Sequence, residues 1–291
     1  IMSSCLALER PLQVAYLGPE GTFTQAATIQ QFGHAVHTQS MQTIGSVFAQ
    51  VESRECNYGV VPVENSTEGM VNHTLDNFMA SSLSICGEVE MPIRHHLLAG
   101  ECTAQNAVNA REIVQICAHQ QALGQCRQWL NNHWPNVAHI AVSSNGEAAR
   151  LAKAEPGTLA IAGDIAAEHY GLRKVATNIQ DRSENSTRFL VVGHDKIPAV
   201  EGVDYKTSLI ISTRNEAGAL FRLLESFEKE GVSFTRIDTR PSQTQNWAYV
   251  FFMEFEGHID HPIIQRVITR LEEQSLMIKP LGSYPKSVIN G

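Results

Sequence analysis

The order of predicted strands and helices constrains the fold of this chain most strongly, and that order changes near residue 195. Between residues 13 and 193, short apolar strands such as VAYLG (14–18) and YGVVPVEN (58–65) alternate with amphipathic helices such as 24–32. This alternation is typical of α/β proteins, in which helices cover the faces of parallel sheets. Two successive sets of such elements, divided near residue 95, predict two lobes with a ligand cleft between them.

A different order follows a segment that lacks long apolar residues. Residues 195–205 contain Pro198 and Gly202, and we place a domain boundary there. Residues 206–285 then predict strand, helix, strand, strand, helix and strand. This is the ferredoxin-like βαββαβ plan, in which both helices cover one face of an antiparallel sheet.

Charge and cysteine usage exclude some classes of function. The 22 Lys and Arg residues stand against 30 Asp and Glu residues, and the net charge of -8 argues against nucleic acid or an anionic membrane as the main partner. No apolar stretch approaches the roughly 20 residues of a membrane span. The six cysteines form no C-x-x-C pair, which favours buried free thiols in a reducing cytoplasm.

Four polar segments stand at the ends of predicted strands, and each has a structural and a functional interpretation. Gly18–Thr24 is an ordinary strand–helix turn, which the spacing favours, or a site where free N–H groups bind an anion. Residues 62–69 carry Asn65, Ser66 and Thr67, which either cap the next helix or point into a cleft. The two interpretations of this second segment are equally supported.

The other two segments contain a histidine and a threonine, for which structural and functional roles are likewise weighed. In residues 117–126, a structural role for His119 is favoured over a catalytic one. In residues 183–189, Thr187 starts a buried strand and Arg188 points the other way, because side chains alternate along a strand. No segment supplies a nucleophile triad or a metal site, and the adjacent His95 and His96 should face opposite sides of a strand.

Taken in order, these segments closely resemble the prephenate dehydratase family. The matching pieces are VAYLGPEGTFTQAA (14–27), YGVVPVENSTEGMVNHTLDNF (58–78), ICGEVE (85–90), AHQQALGQC (118–126) and NSTRFLVVG (185–193). The C-terminal region resembles the regulatory ACT domain of the same enzymes through Gly218-Ala219-Leu220-Phe221 and Thr239-Arg240-Pro241. The chain begins with Ile1, and residues 1–9 are similar to the last helix of a chorismate mutase domain, so the resemblance implies the C-terminal part of a bifunctional mutase–dehydratase.

The resemblance implies an α/β fold, with a catalytic domain of two lobes like a type II periplasmic binding protein and a ferredoxin-like ACT domain. The implied division is 1–11 as an upstream remnant, 12–195 as the dehydratase domain, 196–205 as a linker and 206–286 as the ACT domain. Within the dehydratase domain, residues 12–93 and 180–195 form one lobe and 94–179 the other. The implied activity is conversion of prephenate to phenylpyruvate without a cofactor or metal, with arogenate dehydration or non-catalytic amino-acid sensing as alternatives.

The resemblance also implies site residues. The catalytic ones are Thr187, Asn65 and Gln125, and the substrate-binding ones are Gly21, Thr22, Phe23, Ser66, Thr67 and Arg188. For Arg188 the strand alternation slightly favours a structural ion pair instead. One departure is Ala118, which stands where family members usually have serine.

Phenylalanine is the implied feedback inhibitor, bound by the ACT domain. The implied effector residues are Asn215, Ala217, Gly218, Ala219, Leu220, Phe221, Asp238, Thr239, Arg240 and Pro241. The implied partners are prephenate, phenylalanine and further copies of the chain in a homodimer or homotetramer, in the cytoplasm.

Overall fold

The structure is a computed structural model that describes residues 11–101, 103, 112–241 and 249–287. The predicted helix remnant at residues 1–9, together with Cys5 and Cys102, lies outside the described residues. The described helices include none that is long and apolar enough to cross a membrane.

Strands and helices alternate through most of the described chain. The strands are β1 (Gln13–Leu17), β2 (His37–Met41), β3 (Tyr58–Asn65), β4 (Gly69–Met70), β5 (Ser84–Pro92), β6 (His96–Ala99), β7 (Gln115–His119), β8 (Ala138–Val142), β9 (Thr158–Ala162), β10 (Arg173–Ala176), β11 (Ser186–Gly193), β12 (Tyr205–Thr213), β13 (Phe234–Pro241), β14 (Tyr249–Glu256) and β15 (Met277–Pro285). The helices, numbered here from the first described one, are α1 (Phe23–Phe32), α2 (Ile44–Glu52), α3 (Asn72–Ala80), α4 (Gln120–Gln125), α5 (Arg127–His133), α6 (Asn145–Ala154), α7 (Asp164–Tyr170), α8 (Ala219–Glu228) and α9 (Pro262–Gln274).

Three sheets organise these elements. The first has the order β2-β1-β3-β11-β5, with β4 paired to β3; the second has the order β10-β6-β9-β7-β8. The third has the order β13-β14-β12-β15. The α/β class is therefore confirmed, and the C-terminal βαββαβ order matches the antiparallel ferredoxin-like plan.

The parallel sheets predicted for the N-terminal region are observed only in part, because both sheets also contain antiparallel pairs. Strand β1 runs parallel to β2 and β3, but β11 runs antiparallel to both β3 and β5. In the second sheet, β6 runs antiparallel to β9 and β10. The reason is that β11 enters the first sheet after the chain has passed through the second one, and apolar periodicity carries no information on strand direction.

Strand β2, at the edge of the first sheet, was not predicted from sequence patterning. Strand β2 is exposed at four of its five positions, so it shows no alternation of apolar and polar residues. The helical stretch after β7 is divided into α4 and α5 at Cys126. The central strand β3, predicted at 58–65, was found because it contains a continuous apolar run.

The third sheet packs on the first sheet directly. On its helix-covered face, Phe251 and Phe255 pack with residues of α8 and α9. On its other face, Phe252 and Tyr284 join the core that contains Ile85 of β5. At Gly282 (φ +145°) the β15 backbone approaches β5 so closely that a Cβ would lie 2.4 Å from the carbonyl oxygen of Ile85. The C-terminal domain is therefore in contact with the strands that carry the polar segments.

Candidate active site

Two of the predicted site residues face each other across neighbouring strands. Thr187 at the start of β11 is in register with Asn65 at the end of β3. The side-chain amide of Asn65 donates a hydrogen bond of 2.8 Å to the Thr187 hydroxyl oxygen. The antiparallel pairing of β3 with β11 therefore brings together residues that are more than 100 positions apart in the sequence.

A chain of hydrogen bonds extends from this pair into the second sheet. The hydroxyl of Thr67 donates to Asn65 Oδ1 over 2.5 Å, and Gln125 Nε2 donates to Thr67 Oγ1 over 3.2 Å. Gln125 Oε1 in turn lies 2.7 Å from His95 Nε2. Asn65, Thr67 and Thr187 belong to the first sheet and its turn, whereas Gln125 follows a strand of the second. The chain therefore links the two α/β lobes.

The direction of these hydrogen bonds leaves the proton of the Thr187 hydroxyl free to be donated. An amide oxygen only accepts, so His95 must donate from Nε2 to Gln125, and each later group donates toward Thr187. Thr187 Oγ1 accepts from Asn65, and no acceptor for its own proton lies among the described residues. Hydrogen bonds arranged in series polarise one another, which strengthens the last donor. The arrangement therefore presents the Thr187 O–H as a donor.

His95 is a member of the site that the sequence did not reveal. It is 2% exposed, and burial lowers its pKa, while its hydrogen bond with Gln125 acts in the opposite direction. The imidazole is therefore neutral at pH 7. The only signal in the sequence was the adjacent His96, whose Nε2 lies 3.2 Å from an Asp164 carboxylate oxygen. The prediction that the two histidines face opposite sides is consistent with this placement.

The loop between β1 and α1 contributes one side chain near the cluster. The ring of Phe23 meets the ring of His95 edge-on, with centroids 5.6 Å apart. The N–H of Gly21 donates to Gln25 Oε1 over 2.6 Å, and the hydroxyl of Thr22 lies 3.3 Å from the Leu17 carbonyl oxygen. The loop thus places Phe23 beside the cluster, whereas Gly21 and Thr22 form local hydrogen bonds with residues that flank the loop.

This loop also docks against the second lobe. A Cβ on Gly146, in α6, would lie 2.3 Å from the carbonyl oxygen of Glu20, and a Cβ on Gly163 would lie 2.7 Å from the Phe23 ring. Only glycine at both positions permits this approach. The two lobes are therefore in direct contact at this loop.

The two polar segments with open interpretations can now be assigned. Helix α3 begins after Val71, so Asn65, Ser66 and Thr67 do not cap it. Asn65 Oδ1 instead accepts from the N–H groups of Thr67 and Glu68 and so forms the turn itself. His119 is the N-cap of α4 and accepts from Gln121 N–H, which agrees with the structural role that was favoured.

Comparisons with known proteins agree with the sequence motifs. The family model for prephenate dehydratase matches residues 14–197. A bifunctional chorismate mutase/prephenate dehydratase from Stutzerimonas stutzeri is 53% identical over 289 residues, which are 99% of this chain and 77% of that protein. The chain belongs to the prephenate dehydratase family. The resemblance stated from the motifs is thereby confirmed, as is the lyase class.

Solved structures share the fold over almost the whole chain. A prephenate dehydratase from Arthrobacter aurescens, solved in complex with L-Phe, is 30% identical, with a TM-score of 0.84 over 95% of this chain and 90% of that one. A chain described as a novel type of quorum quenching acylase is 25% identical, with a TM-score of 0.84 over 94% of this chain and 98% of that one. The third sheet is thus part of the shared architecture.

One substrate-binding assignment in this prephenate dehydratase fold needs correction. Arg188 does not join the cluster, because its guanidinium donates to both carboxylate oxygens of Glu254 in β14. Its Nε lies 3.6 Å from Glu88, and its side chain is 11% exposed. Burial disfavours the charged form, but the carboxylate of Glu254 more than compensates and raises the pKa of Arg188. Arg188 therefore forms the structural ion pair that strand alternation favoured.

Two of the predicted effector residues, Arg240 and Asp238, lie on the face of the third sheet that is directed toward the dehydratase domain. Arg240 donates from Nη2 to both oxygens of Asp76 in α3, at 2.7 and 2.9 Å. Asp238 lies two residues away on the same face of β13, with Arg236 Nη1 3.6 Å from its carboxylate. Arg240 therefore links the two domains, whereas the ion pair of Asp238 stays within β13, and its effector role stays a prediction.

The remaining effector positions lie around the start of α8. Gly218 has φ +78°, a left-handed conformation that suits glycine, and it precedes the first residue of the helix. Leu220 and Phe221 are 36% and 69% exposed. Thr239 is exposed on β13, and the side chain of Pro241 lies outside the described residues.

A pocket of about 510 Å³ adjoins the hydrogen-bonded cluster that contains Thr67 and Gln125. Thr67 from the first lobe and Gln125 from the second both line it. Within residues 11–101, 103, 112–241 and 249–287, no group of three or more potential ligands is placed to hold a metal ion.

Proposed function

We propose that this chain removes water and carbon dioxide from prephenate to form phenylpyruvate, with the Thr187 hydroxyl as the donor to the departing ring oxygen. The observation that carries the proposal is the polarity of the hydrogen-bond chain, in which Thr187 accepts from Asn65 and keeps its own proton available. Membership of the prephenate dehydratase family supports the substrate and the reaction.

The chemistry requires little beyond an aimed donor. The electron pair of the bond between the ring and its carboxylate moves into the ring as carbon dioxide leaves. The ring then expels the hydroxyl group at the opposite carbon, which departs as water with one added proton. Aromatisation drives the reaction, so the barrier lies in the poor leaving group, and no cofactor is required. A threonine hydroxyl is a weak acid, so a strong hydrogen bond to the leaving oxygen, with a relayed proton, is its role.

The neighbouring residues hold that donor in position. Asn65 is 8% exposed and hydrogen-bonded at both ends of its amide, so it fixes the Thr187 oxygen. Gln125 joins this arrangement to the second lobe, and neutral His95 orients Gln125. Closure of the lobes over the substrate excludes water, which strengthens hydrogen bonds formed as charge develops.

The C-terminal domain is proposed to be an ACT domain that binds phenylalanine and inhibits the reaction. The Arthrobacter aurescens relative crystallised with L-Phe supports this, as do the left-handed Gly218 and the exposed Leu220 and Phe221 beside it. Residues 12–195 are proposed as the dehydratase domain, with lobes like those of type II periplasmic binding proteins, and 206–286 as the ACT domain. We also propose a homodimer or homotetramer in the cytoplasm, where the described free cysteines suit a reducing environment.

The test is turnover by the purified chain with prephenate and with arogenate, each with and without phenylalanine. Phenylpyruvate formation that phenylalanine suppresses is expected. Thr187→Val keeps the shape of the side chain but removes the hydroxyl, and the loss of one aimed donor should lower kcat about 10²–10³-fold. Thr187→Ser, which keeps the hydroxyl, is the matched control. Equal activity of the Val and Ser variants would contradict the role of Thr187, and preference for arogenate would reassign the substrate.

A further inference from the structure

The 510 Å³ pocket beside the hydrogen-bonded cluster carries groups that the proposed roles do not use. Its lining includes Asn185, Arg127 and Arg182, in addition to Thr67 and Gln125. Asn185 precedes β11, Arg127 begins α5, and Arg182 lies in the segment that leads to Asn185. Two cations and an amide therefore converge next to the residues that hold Thr187.

Asn185 has a buried donor without a protein acceptor. The residue is 2% exposed, and its Oδ1 accepts from Asn65 Nδ2 at 3.0 Å and from the Ser66 hydroxyl at 3.3 Å. These donors determine which way the amide points. Its Nδ2 has no hydrogen-bond partner among the described residues. A buried donor without an acceptor is unfavourable, so a ligand oxygen that reaches it gains a hydrogen bond.

The two arginines of the pocket are also without a carboxylate partner. Neither Arg127 nor Arg182 forms an ion pair with any residue that the structure describes, and both are exposed. The nearest acid in sequence, Asp181, is already engaged, because its two oxygens accept from the N–H groups of Gln128 and Trp129. Glu68 lines the pocket on the side of the first lobe. The pocket lining thus holds two arginines and two carboxylates, Glu68 and Asp181, and neither arginine is paired with either carboxylate.

Prephenate carries two carboxylates, and only one of them suits an arginine. The ring carboxylate must lose its charge to the ring as carbon dioxide departs, so a cation beside it would stabilise the reactant more than the transition state and slow the reaction. The side-chain carboxylate keeps its charge throughout. Pairing with it contributes to binding without opposing the chemistry.

We propose that Arg127 and Arg182 bind the retained side-chain carboxylate of prephenate, with Asn185 as a neutral donor to the same bound molecule. This assignment rests on the proposed dehydratase function and specifies how the substrate lies in the cleft. The leaving carboxylate then points away from both arginines, and the ring hydroxyl points toward Thr187.

Phenylpyruvate separates the two carboxylates experimentally, because it keeps the side-chain carboxylate and lacks the ring one. The variants are Arg127→Gln, Arg182→Gln and the double variant, with Arg150→Gln as a control on an exposed arginine that pairs with Glu147 instead. The measurements are kcat and KM for prephenate and the dissociation constant of phenylpyruvate by calorimetry. Each single variant should raise both KM and that dissociation constant about tenfold, the loss expected for one charge-assisted hydrogen bond, with kcat within a few-fold of the parent.

The outcomes decide the assignment. A parallel rise in KM and in the phenylpyruvate dissociation constant supports it. A rise in KM alone would mean that the arginines bind the leaving carboxylate, and no change in either would remove them from the site; both results overturn the proposal. Failure of the parent chain to act on prephenate would instead count against the proposed function. In that case, the dissociation constants of phenylpyruvate for the parent and the variants still show whether the arginines bind its carboxylate.

Discussion

The two faces of the β3–β11 pair differ sharply, although a single residue step separates them. On one face, Thr187 is in register with Asn65, and both are uncharged and joined by a hydrogen bond. On the other face, Arg188 is in register with Glu64, and Arg188 is bound to Glu254 of the C-terminal domain. The same two strands thus form a neutral surface at the candidate active site and an ionic domain interface.

The difference reflects what each face must do. A buried charge is tolerated only when it is paired, and the ionic face pairs its charges between domains, as in the contact of Arg236 with Glu64. The neutral face needs one donor with an uncommitted proton. A carboxylate beside Thr187 would accept that proton, so amides and hydroxyls suit this face.

The largest expected effect comes from breaking the ionic face. Arg188→Met should destabilise the protein by about 3–5 kcal/mol, because it leaves the carboxylate of Glu254 buried without its partner. Urea unfolding of variant and parent measures this, with Arg150→Met as the control for an exposed arginine. A loss no larger than that of the control would mean that the interface does not depend on this pair.

On the neutral face, Asn65→Asp should lower kcat about 10²-fold or more. The substitution replaces the amide donor with a carboxylate that accepts from Thr187 and so takes up its proton. Steady-state kinetics with prephenate checks this, and Asn77→Asp is the control, since Asn77 donates only within its own helix to the His73 carbonyl. Turnover equal to that of the parent would show that the polarity of the hydrogen-bond chain is not needed.

The acid stability of the two faces should also differ. Burial raises the pKa of Glu254, but the charge of Arg188, with further help from Lys206, outweighs it and holds the pKa at about 2. Because the pKa of Glu254 is lower in the folded protein than its ordinary value of 4.5, the ionised carboxylate stabilises the folded state above about pH 4.5. This contribution to the free energy of unfolding is lost as the pH falls from about 4.5 to about 2. The shift in pKa corresponds to about 3 kcal/mol. Urea unfolding across this range should show the loss in the parent and not in Glu254→Gln.

The smallest effect is expected at Ala118, the position where the family resemblance implies a serine. Ala118 is fully buried and packs with Ile116 and Leu97 in an apolar cluster rather than lining the cleft. Ala118→Ser should therefore leave kcat within about threefold and cost about 1 kcal/mol for a buried hydroxyl without a partner. A tenfold gain in kcat would place residue 118 in contact with the substrate and extend the neutral face into the second lobe.

Much of the local structure could be predicted from local patterns. Strand β3 was predicted at its observed ends, because an apolar run bounded by turn residues defines it. Helix α1 was predicted over 24–32, one residue after its observed start. The exposed strand β2 and the antiparallel insertion of β11 were not predicted, since neither leaves a periodic signal.

The residues of the candidate site also fall into a group that sequence motifs predicted and a group that only the folded structure identifies. Thr187, Asn65 and Gln125 were found through motifs, and strand alternation alone separated Thr187 from Arg188. His95, Asn185 and the direction of the hydrogen bonds were not accessible, because they depend on which donor meets which acceptor after folding.

The sequence by itself therefore determined the fold class, the family and the two opposite faces of each strand, since these follow from local periodicity and ordered motifs. Only the tertiary structure decided that Arg188 and Arg240 bridge domains, that His95 supports Gln125, and that Thr187 keeps a free proton. The physical reason is that periodicity is set by neighbouring residues, whereas pairing between charges and between hydrogen-bonding groups depends on segments brought together from distant parts of the chain.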